Sequence, residues 1–297
     1  MKKQIFLLFR FGAMAAKKVS NIFWGIAQRL KPEDYQQSTV IGSTAYSMVN
    51  SPDEPYYAQQ YWTIISQYLT SIPEDARALD LGCSQGRLSK KLGERFCKGT
   101  VSGCDISSSA IQEAEHYAVT HSLDNIEFHV QSISECLADV KKESCDVILH
   151  TEVAFFYPDW KSDLPNIIES LKPGGILAIS LRSQYFNALC LARDHRWESV
   201  DKVVNCREGE IVDPGTTFTW QTSSEIESLF IKEDKVELLE IRGIGVCSGI
   251  SADPHDFICQ PSQLNDKNRQ KLMQLELEVG KSAPDSGRYI LAIVRKL

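Results

Sequence analysis

The sequence predicts an α/β fold built on a mostly parallel sheet. Three observations carry this reading. Short apolar runs suited to buried strands alternate with segments of helical period. The connections between successive runs have room for a helix of 10 to 15 residues, as a crossover between parallel strands requires. A glycine-bearing turn, Gly82-Cys83-Ser84-Gln85-Gly86, directly follows the first run.

Taken in order, residues 56–69 have helical period and stop before Pro73. Apolar runs at 76–81, 100–105, 126–131, 145–150 and 175–181 read as five strands, and 84–96, 108–121 and 164–171 as helices between them. A capping-box start, Thr222-x-x-Glu225, opens a helix over 225–230, followed by strands at 236–241 and 289–294. Two insertions, about 183–220 and 246–286, are too long for bare loops in a compact domain, so they are expected to form a lid with helices of their own. Leu272, Leu275 and Val279 mark one of these. The organisation is therefore an N-terminal basic helix and cap over 1–55, a core over 56–182, a lid insertion over 183–221, and the rest of the core over 222–297.

The 297 residues suit two domains or one with large insertions, and 43% apolar with 24% charged residues is ordinary soluble globular composition. Net charge is −7, but Lys2, Lys3, Arg10, Lys17, Lys18, Arg29 and Lys31 stand in an acid-free start, leaving 25 basic against 39 acidic groups beyond it. Such an acidic body repels a phosphate backbone, so no nucleic-acid partner is expected. The nine cysteines include no C-x-x-C and no Cys/His zinc spacing, which points to a reducing, cytoplasmic setting and no metal. Near the start, Leu8, Phe11, Ala15, Val19, Ile22 and Ile26 form one helical stripe, while Arg10 leaves only residues 5–9 as an unbroken apolar run. No stretch reaches the length of a membrane span. Three readings of residues 1–31 stand open: a helix packed on the protein or a second copy, peripheral contact with an anionic membrane surface, and an organelle-targeting segment that is removed.

The chemistry lies at the turn. Gly82 and Gly86 let the backbone approach a ligand at the carboxyl end of the first strand, beside a helix amino terminus. The spacing is not that of the dinucleotide G-x-G-x-x-G turn, and Asp80 would repel a pyrophosphate; it suits a cationic ligand. Nineteen residues after Gly86, Asp105 closes the second strand, where an acid accepts hydrogen bonds from both ribose hydroxyls, and Ile106 can lie against a purine. Leu171-Lys172-Pro173-Gly174-Gly175 precedes the fifth strand.

On these residues the sequence resembles the class I S-adenosylmethionine-dependent methyltransferases, closely over 56–182 and by order of elements over 222–295. The resemblance implies a Rossmann-like, seven-stranded, mostly parallel sheet with a final antiparallel strand at 289–294. It implies S-adenosylmethionine as cofactor, with Asp80, Gly82, Cys83, Ser84 and Gly86 near its methionine end, Asp105 and Ile106 at the ribose and base, and Ser132 and Ile133 at the adenine. Residues 145–152 resemble the fourth-strand motif, whose end, at His150, lies under the methyl group. Ser84 replaces the middle glycine of the family's turn. Ser132 replaces the acid that usually receives the adenine N6 proton.

Methyl transfer from a sulfonium is an in-line displacement in which positioning dominates, and an oxygen acceptor also gains from a base near neutrality. His150, Glu152 and Tyr157 are the catalytic candidates, His150 as base and the other two orienting substrate or cofactor. His195 and His255 in the insertions, Tyr46 in the cap, and Arg182, poised for an acidic substrate or a surface carboxylate, stand behind them. Phe186, Trp197, Phe218, Trp220 and Phe257 suit a small or lipophilic acceptor. The run His150-Thr151-Glu152-Val153 departs from the Asn-Pro-Pro-Tyr type that serves nitrogen acceptors, which favours oxygen. Competing readings are a protein or RNA methyltransferase, which needs a basic surface, and a catalytically silent binding subunit of the same fold.

Overall fold

The computed structural model describes residues 51–193, 195–210, 217–249 and 259–297. The expected helix over 1–31, the cap with Tyr46, and His255 with Phe257 lie outside these residues.

Nine strands and nine helices are formed by the described residues. Helix α1 (Glu54–Ile65) precedes β1 (Arg77–Leu81), α2 (Ser89–Arg95), β2 (Thr100–Asp105), α3 (Ser108–Thr120) and β3 (Ile126–Val130). Then come α4 (Ile133–Asp139), β4 (Cys145–His150), α5 (Leu164–Ser170) and β5 (Leu171–Arg182). The first insertion holds α6 (Gln184–Arg193), α7 (Trp197–Asn205) and a small hairpin of β6 (Glu208–Gly209) and β7 (Phe218–Thr219). Helix α8 (Ser223–Ile231), β8 (Val236–Ile244), α9 (Asp266–Ser282) and β9 (Tyr289–Lys296) complete the chain.

Seven strands form one sheet in the order β3-β2-β1-β4-β5-β9-β8, with β1 to β5 parallel and β9 antiparallel to both its neighbours. The sequence β1, β2, β3 runs outward on one side, and β4 then starts on the other side of β1. That reversal makes β1/β4 the switch point, where the strand ends part and leave a crevice. Alternation along each strand sends side chains to two cores. Ala78, Val147, Leu149, Ala178 and Ile293 face α1, α2 and α9; Leu79, Leu81, Ile148, Leu177 and Ala292 face α4, α5 and α8. The central strands are buried on both faces, which is why they read as unbroken apolar runs.

Three local differences from the sequence reading have physical causes. The helix expected from residue 84 begins at Ser89, because Ser84 and Gly86 adopt left-handed conformations (φ 48° and 75°) and hold the chain as an open turn. Strand β5 starts at Leu171, and Lys-Pro-Gly-Gly is an irregularity inside it: partners shift between Cys145 and Val147, Gly174 has φ 80°, and Lys172 pairs with Asp146 at 2.7 Å. Helix α4 was not anticipated, although its signal is present. Ser132 accepts from the Glu135 amide, and the Glu135 carboxylate accepts from the Ser132 amide in return.

All nine cysteines are free thiols. Among the described residues no helix is long and apolar enough to cross a membrane, and no metal-ligating cluster forms. Leu291, fully buried in β9 between β5 and β8, tests the packing. Leu291→Ala should cost about 2–5 kcal/mol in urea unfolding, at the upper end because strands on both sides prevent collapse of the void.

Candidate functional site

A cavity of about 400 Å³ opens at the carboxyl ends of β1, β2 and β4. Its floor is the turn after β1. The amides of Gly82 and Cys83 both donate to the Cys104 carbonyl (2.8 and 2.9 Å), and Gly86 N donates to the Cys83 carbonyl (2.9 Å). Gly82 has φ 74°, and an added Cβ would collide with the Val153 side chain, so only glycine serves there. The Cys83 thiol points away from the cavity, toward the space beside Gly103, and burial pushes its pKa up; it acts as a small packing group.

Asp105 joins this turn to the next. Its Oδ2 accepts from the Ser84 amide and its Oδ1 from the Ser107 amide, both at 2.9 Å. The carboxylate is thereby held at the cavity wall with a second lone pair free on each oxygen. Burial raises its pKa and these backbone donors oppose the shift. Asp80 lies beneath the turn, 3% exposed, with Oδ2 accepting from Ser89 Oγ at 2.6 Å; burial pushes its carboxyl up to about 6.

The opposite wall follows β4. Glu152 stands in a left-handed conformation (φ 60°), its amide donating to Ser180 Oγ at 2.7 Å. Its carboxylate accepts from Arg87 at 2.7 Å, and Arg87 also binds Glu54 of α1. All three groups are buried, so α1, the turn and the β4 loop are tied by one charge triad. Tyr157 donates to Asp163 Oδ2 at 2.9 Å, and its oxygen lies 3.2 Å from His150 Nε2. The other ring nitrogen, Nδ1, lies 3.5 Å from the Leu81 carbonyl oxygen, so a neutral His150 donates at only one of these two contacts. His150 is fully buried, and desolvation pulls it down to about 4.

The chain matches the family described as "Methyltransferase domain" over residues 72–234, more than half its length. This chain belongs to that family. It is 30% identical over 119 residues to trans-aconitate 2-methyltransferase of Deinococcus radiodurans, covering 39% of this chain and 43% of that one. It is 31% identical over 119 residues to the ubiquinone biosynthesis O-methyltransferase of a Chelativorans species, covering 40% and 45%. The matched stretch spans less than half the length of either relative. In fold, a Listeria monocytogenes protein described as an S-adenosylmethionine-dependent methyltransferase superposes with a TM-score of 0.54 at 15% identity, over 81% of this chain and 98% of that one. Geranyl diphosphate methyltransferase in complex with S-adenosylmethionine gives 0.50 at 11%, over 86% and 94%.

The cofactor of this class I methyltransferase family is S-adenosylmethionine, and the donor set fits it. A carboxylate with spare lone pairs stands at the end of β2, apolar side chains of Ile106 and Ile133 line the same cavity, and its described lining includes no lysine or arginine of the kind a pyrophosphate would need. Of the residues singled out in the sequence, Gly82, Ser84, Asp105, Ile106, Ser132 and Ile133 line the cavity, as do Glu152 and Tyr157. Asp80, Cys83, Gly86 and His150 lie behind its wall. His150 is not among the lining residues, and its Nε2 lies beside the hydroxyl of Tyr157, which is. Arg182 is buried and pairs with no surface carboxylate, and exposed His195 is not among the lining residues. Among the described residues of the expected lid over 183–221, none lines the cavity either. Phe156, Val153 and Asp163 were missed; they follow β4 in short helical turns that carry no periodic signal.

Two outcomes follow from these contacts. Arg87→Met leaves Glu54 and Glu152 buried without their cation and should cost about 3–5 kcal/mol at pH 7, with part of the loss recovered in acid as they protonate. His150 is neutral when folded down to about pH 4, whereas the unfolded histidine protonates near 6.5. The unfolded state thus binds more protons between these values, and stability falls as pH drops from about 6.5 to 4, by about 3 kcal/mol in all. Asp80 works in the opposite sense below pH 6, so the measurement compares urea unfolding of the wild type and His150→Asn across that window. The variant should lack the histidine's share of the slope.

Proposed function

We propose that this chain transfers the methyl group of S-adenosylmethionine to an oxygen of a small-molecule acceptor by in-line displacement. The observation that supports this most is Asp105, held by two backbone amides at the wall of a switch-point cavity in a methyltransferase-family fold. In this reading its free lone pairs take the ribose hydroxyls, Ile106 and Ile133 flank the adenine, and Gly82 with Ser84 gives the backbone close approach. Ser132 is committed to capping α4, so it offers the adenine its backbone surroundings and little of its hydroxyl. Asp80, one layer below, supplies negative potential toward the cationic end. When bound, the cofactor supplies a methyl group already activated by the positive sulfur.

What remains for the chain is placement of the acceptor and exclusion of water. Glu152 and Tyr157 present polar groups on the acceptor side, and Phe156 an apolar wall. Burial raises the Tyr157 pKa, so its phenol stays protonated and acts by orientation; His150 positions it from behind. The names of the relatives, one a methyltransferase of trans-aconitate and one an O-methyltransferase of ubiquinone biosynthesis, support a small acceptor and oxygen as the receiving atom. The free thiols support a cytoplasmic setting. The basic stripe of residues 1–31 supports peripheral membrane contact and a lipophilic acceptor.

Calorimetry with S-adenosylmethionine and S-adenosylhomocysteine tests the cofactor half. Asp105→Ala should weaken both at least about ten-fold, the size expected from losing hydrogen bonds to a charged acceptor. Affinity for S-adenosylmethionine should also fall as pH drops below about 6, where Asp80 becomes neutral, by up to about ten-fold per pH unit; an affinity flat from pH 5 to 7 removes Asp80 from the account. A methyl-transfer screen over phenol, carboxylate, amine and quinol acceptors tests the other half, and turnover confined to amines rejects oxygen as the acceptor atom.

A further inference from the structure

Behind Phe156 the fold buries an arginine that no carboxylate among the described residues neutralises. Arg182 closes β5, next to β4, at the same edge of the sheet as the cavity, and is 5% exposed. Its Nε donates to Asn187 Oδ1 at 3.0 Å, and its guanidinium lies 5.0 Å from the Phe218 ring centre and 5.7 Å from that of Phe155. Among the described residues no acid comes within ion-pair distance of it. Glu152 acts on it only through space, and burial pulls the guanidinium down to about 10. An isolated buried cation of this kind destabilises a fold unless something compensates it.

Two further donors in this region lack acceptors. Asn187 is 2% exposed, and its Nδ2 has no partner. Its orientation is settled by the Arg182 Nε–H, which needs the oxygen. Gln60 of α1 is fully buried, with Oε1 accepting from the Gly245 amide at 3.2 Å and Nε2 unpartnered. Gly245, in turn, accepts through its carbonyl from the amide of Arg288, the residue before Tyr289, and Tyr289 pairs with Arg182 across the sheet. Arg182 and Asn187 thus stand side by side beyond the carboxyl end of β5 with donors unused, and Gln60 is linked to them only through Gly245, Arg288 and Tyr289. Arg288 lies near them, its Nε donating to Tyr289 Oη at 3.3 Å. Aromatic rings separate this place from the cavity: Phe156 lines the cavity and packs at a tilt against Phe155 (4.5 Å between centres) and Phe218 (5.4 Å).

We propose that Arg182 and Asn187 form the acceptor-recognition subsite of this enzyme and receive a carboxylate of the methyl acceptor, whose apolar body lies against Phe155, Phe156 and Phe218. The inference rests on the methyltransferase reading above and adds the substrate class to it. A planar carboxylate accepts up to four hydrogen bonds, which suits a forked guanidinium with an amide beside it, and it neutralises the Arg182 charge. Phe156 is half-buried, and turning its ring aside joins the two spaces. The acceptor oxygen that is methylated then lies on the Glu152 and Tyr157 side, with the carboxylate anchored one ring away.

The test uses the full chain with S-adenosylhomocysteine present, and benzoate and 4-hydroxycinnamate as probes against their neutral amides. Melting temperature should rise with either acid at millimolar concentration and stay unchanged with the amides. Arg182→Met should abolish the response while melting at or above the wild-type temperature, because it removes an uncompensated charge; Asn187→Leu should weaken the response at least several-fold. In turnover with any carboxylate acceptor found by screening, Arg182→Lys should raise KM ten-fold or more with a smaller change in kcat. Equal responses to acids and amides, no response to either, or an Arg182→Met protein that melts well below the wild type would each overturn the proposal, the last by making the arginine a structural group. Calorimetry of S-adenosylmethionine on the same variants separates this failure from that of the cofactor reading: unchanged cofactor affinity with no carboxylate response rejects the subsite alone.

Discussion

The site depends on a single carboxylate bridging two turns. Asp105 ends β2, yet its oxygens receive amides from the turn after β1 and from the start of α3. That double contact sets the spacing of two strand ends that the sheet alone would leave to their loops. It also accounts for the left-handed conformation of Ser84, whose amide turns toward the acid, and for the late start of α2. An acid that satisfies backbone donors in this way is pre-organised, with its remaining lone pairs aimed outward before any ligand arrives.

Around that anchor the sheet order makes the crevice and the helices seal it. Buried alternation along β1, β4, β5 and β9 fills two cores, and the ends of the same strands carry Asp80, Glu152 and Arg182. The charged groups are treated unequally. Arg87 is flanked by Glu54 and Glu152, which closes one wall of the cavity. Arg182 has only an amide and two aromatic faces. The contrast between these two buried arginines, one paired twice and one not, points to a group reserved for a ligand.

Much of the sheet was legible because its strands are buried on both faces and announce themselves as apolar runs between turns. The turn at the cavity floor was legible for a related reason: Gly82, Gly86 and Asp105 are local requirements of a turn and a strand end, so their spacing survives in one dimension. The charge triad behind the β4 loop was not. Glu54, Arg87 and Glu152 are separated by 33 and 65 residues and meet only after the sheet closes, and no local pattern records that. His150 looked like a base from its position and its ordinary pKa, but full burial and the phenol of Tyr157 set its role. The unpartnered donors of Gln60 and Asn187 are likewise facts of packing, silent in composition and period.

The central claim is that the turn after β1 and the Asp105 carboxylate grip the cofactor. Hydrogen exchange with and without S-adenosylhomocysteine tests it most directly, since exchange reports ligand protection residue by residue. The account predicts slowed exchange at amides 82–86, 105–109 and 132–134, with little change on α8 or the β6–β7 hairpin. Protection confined to other segments, or none at saturating ligand, would contradict it.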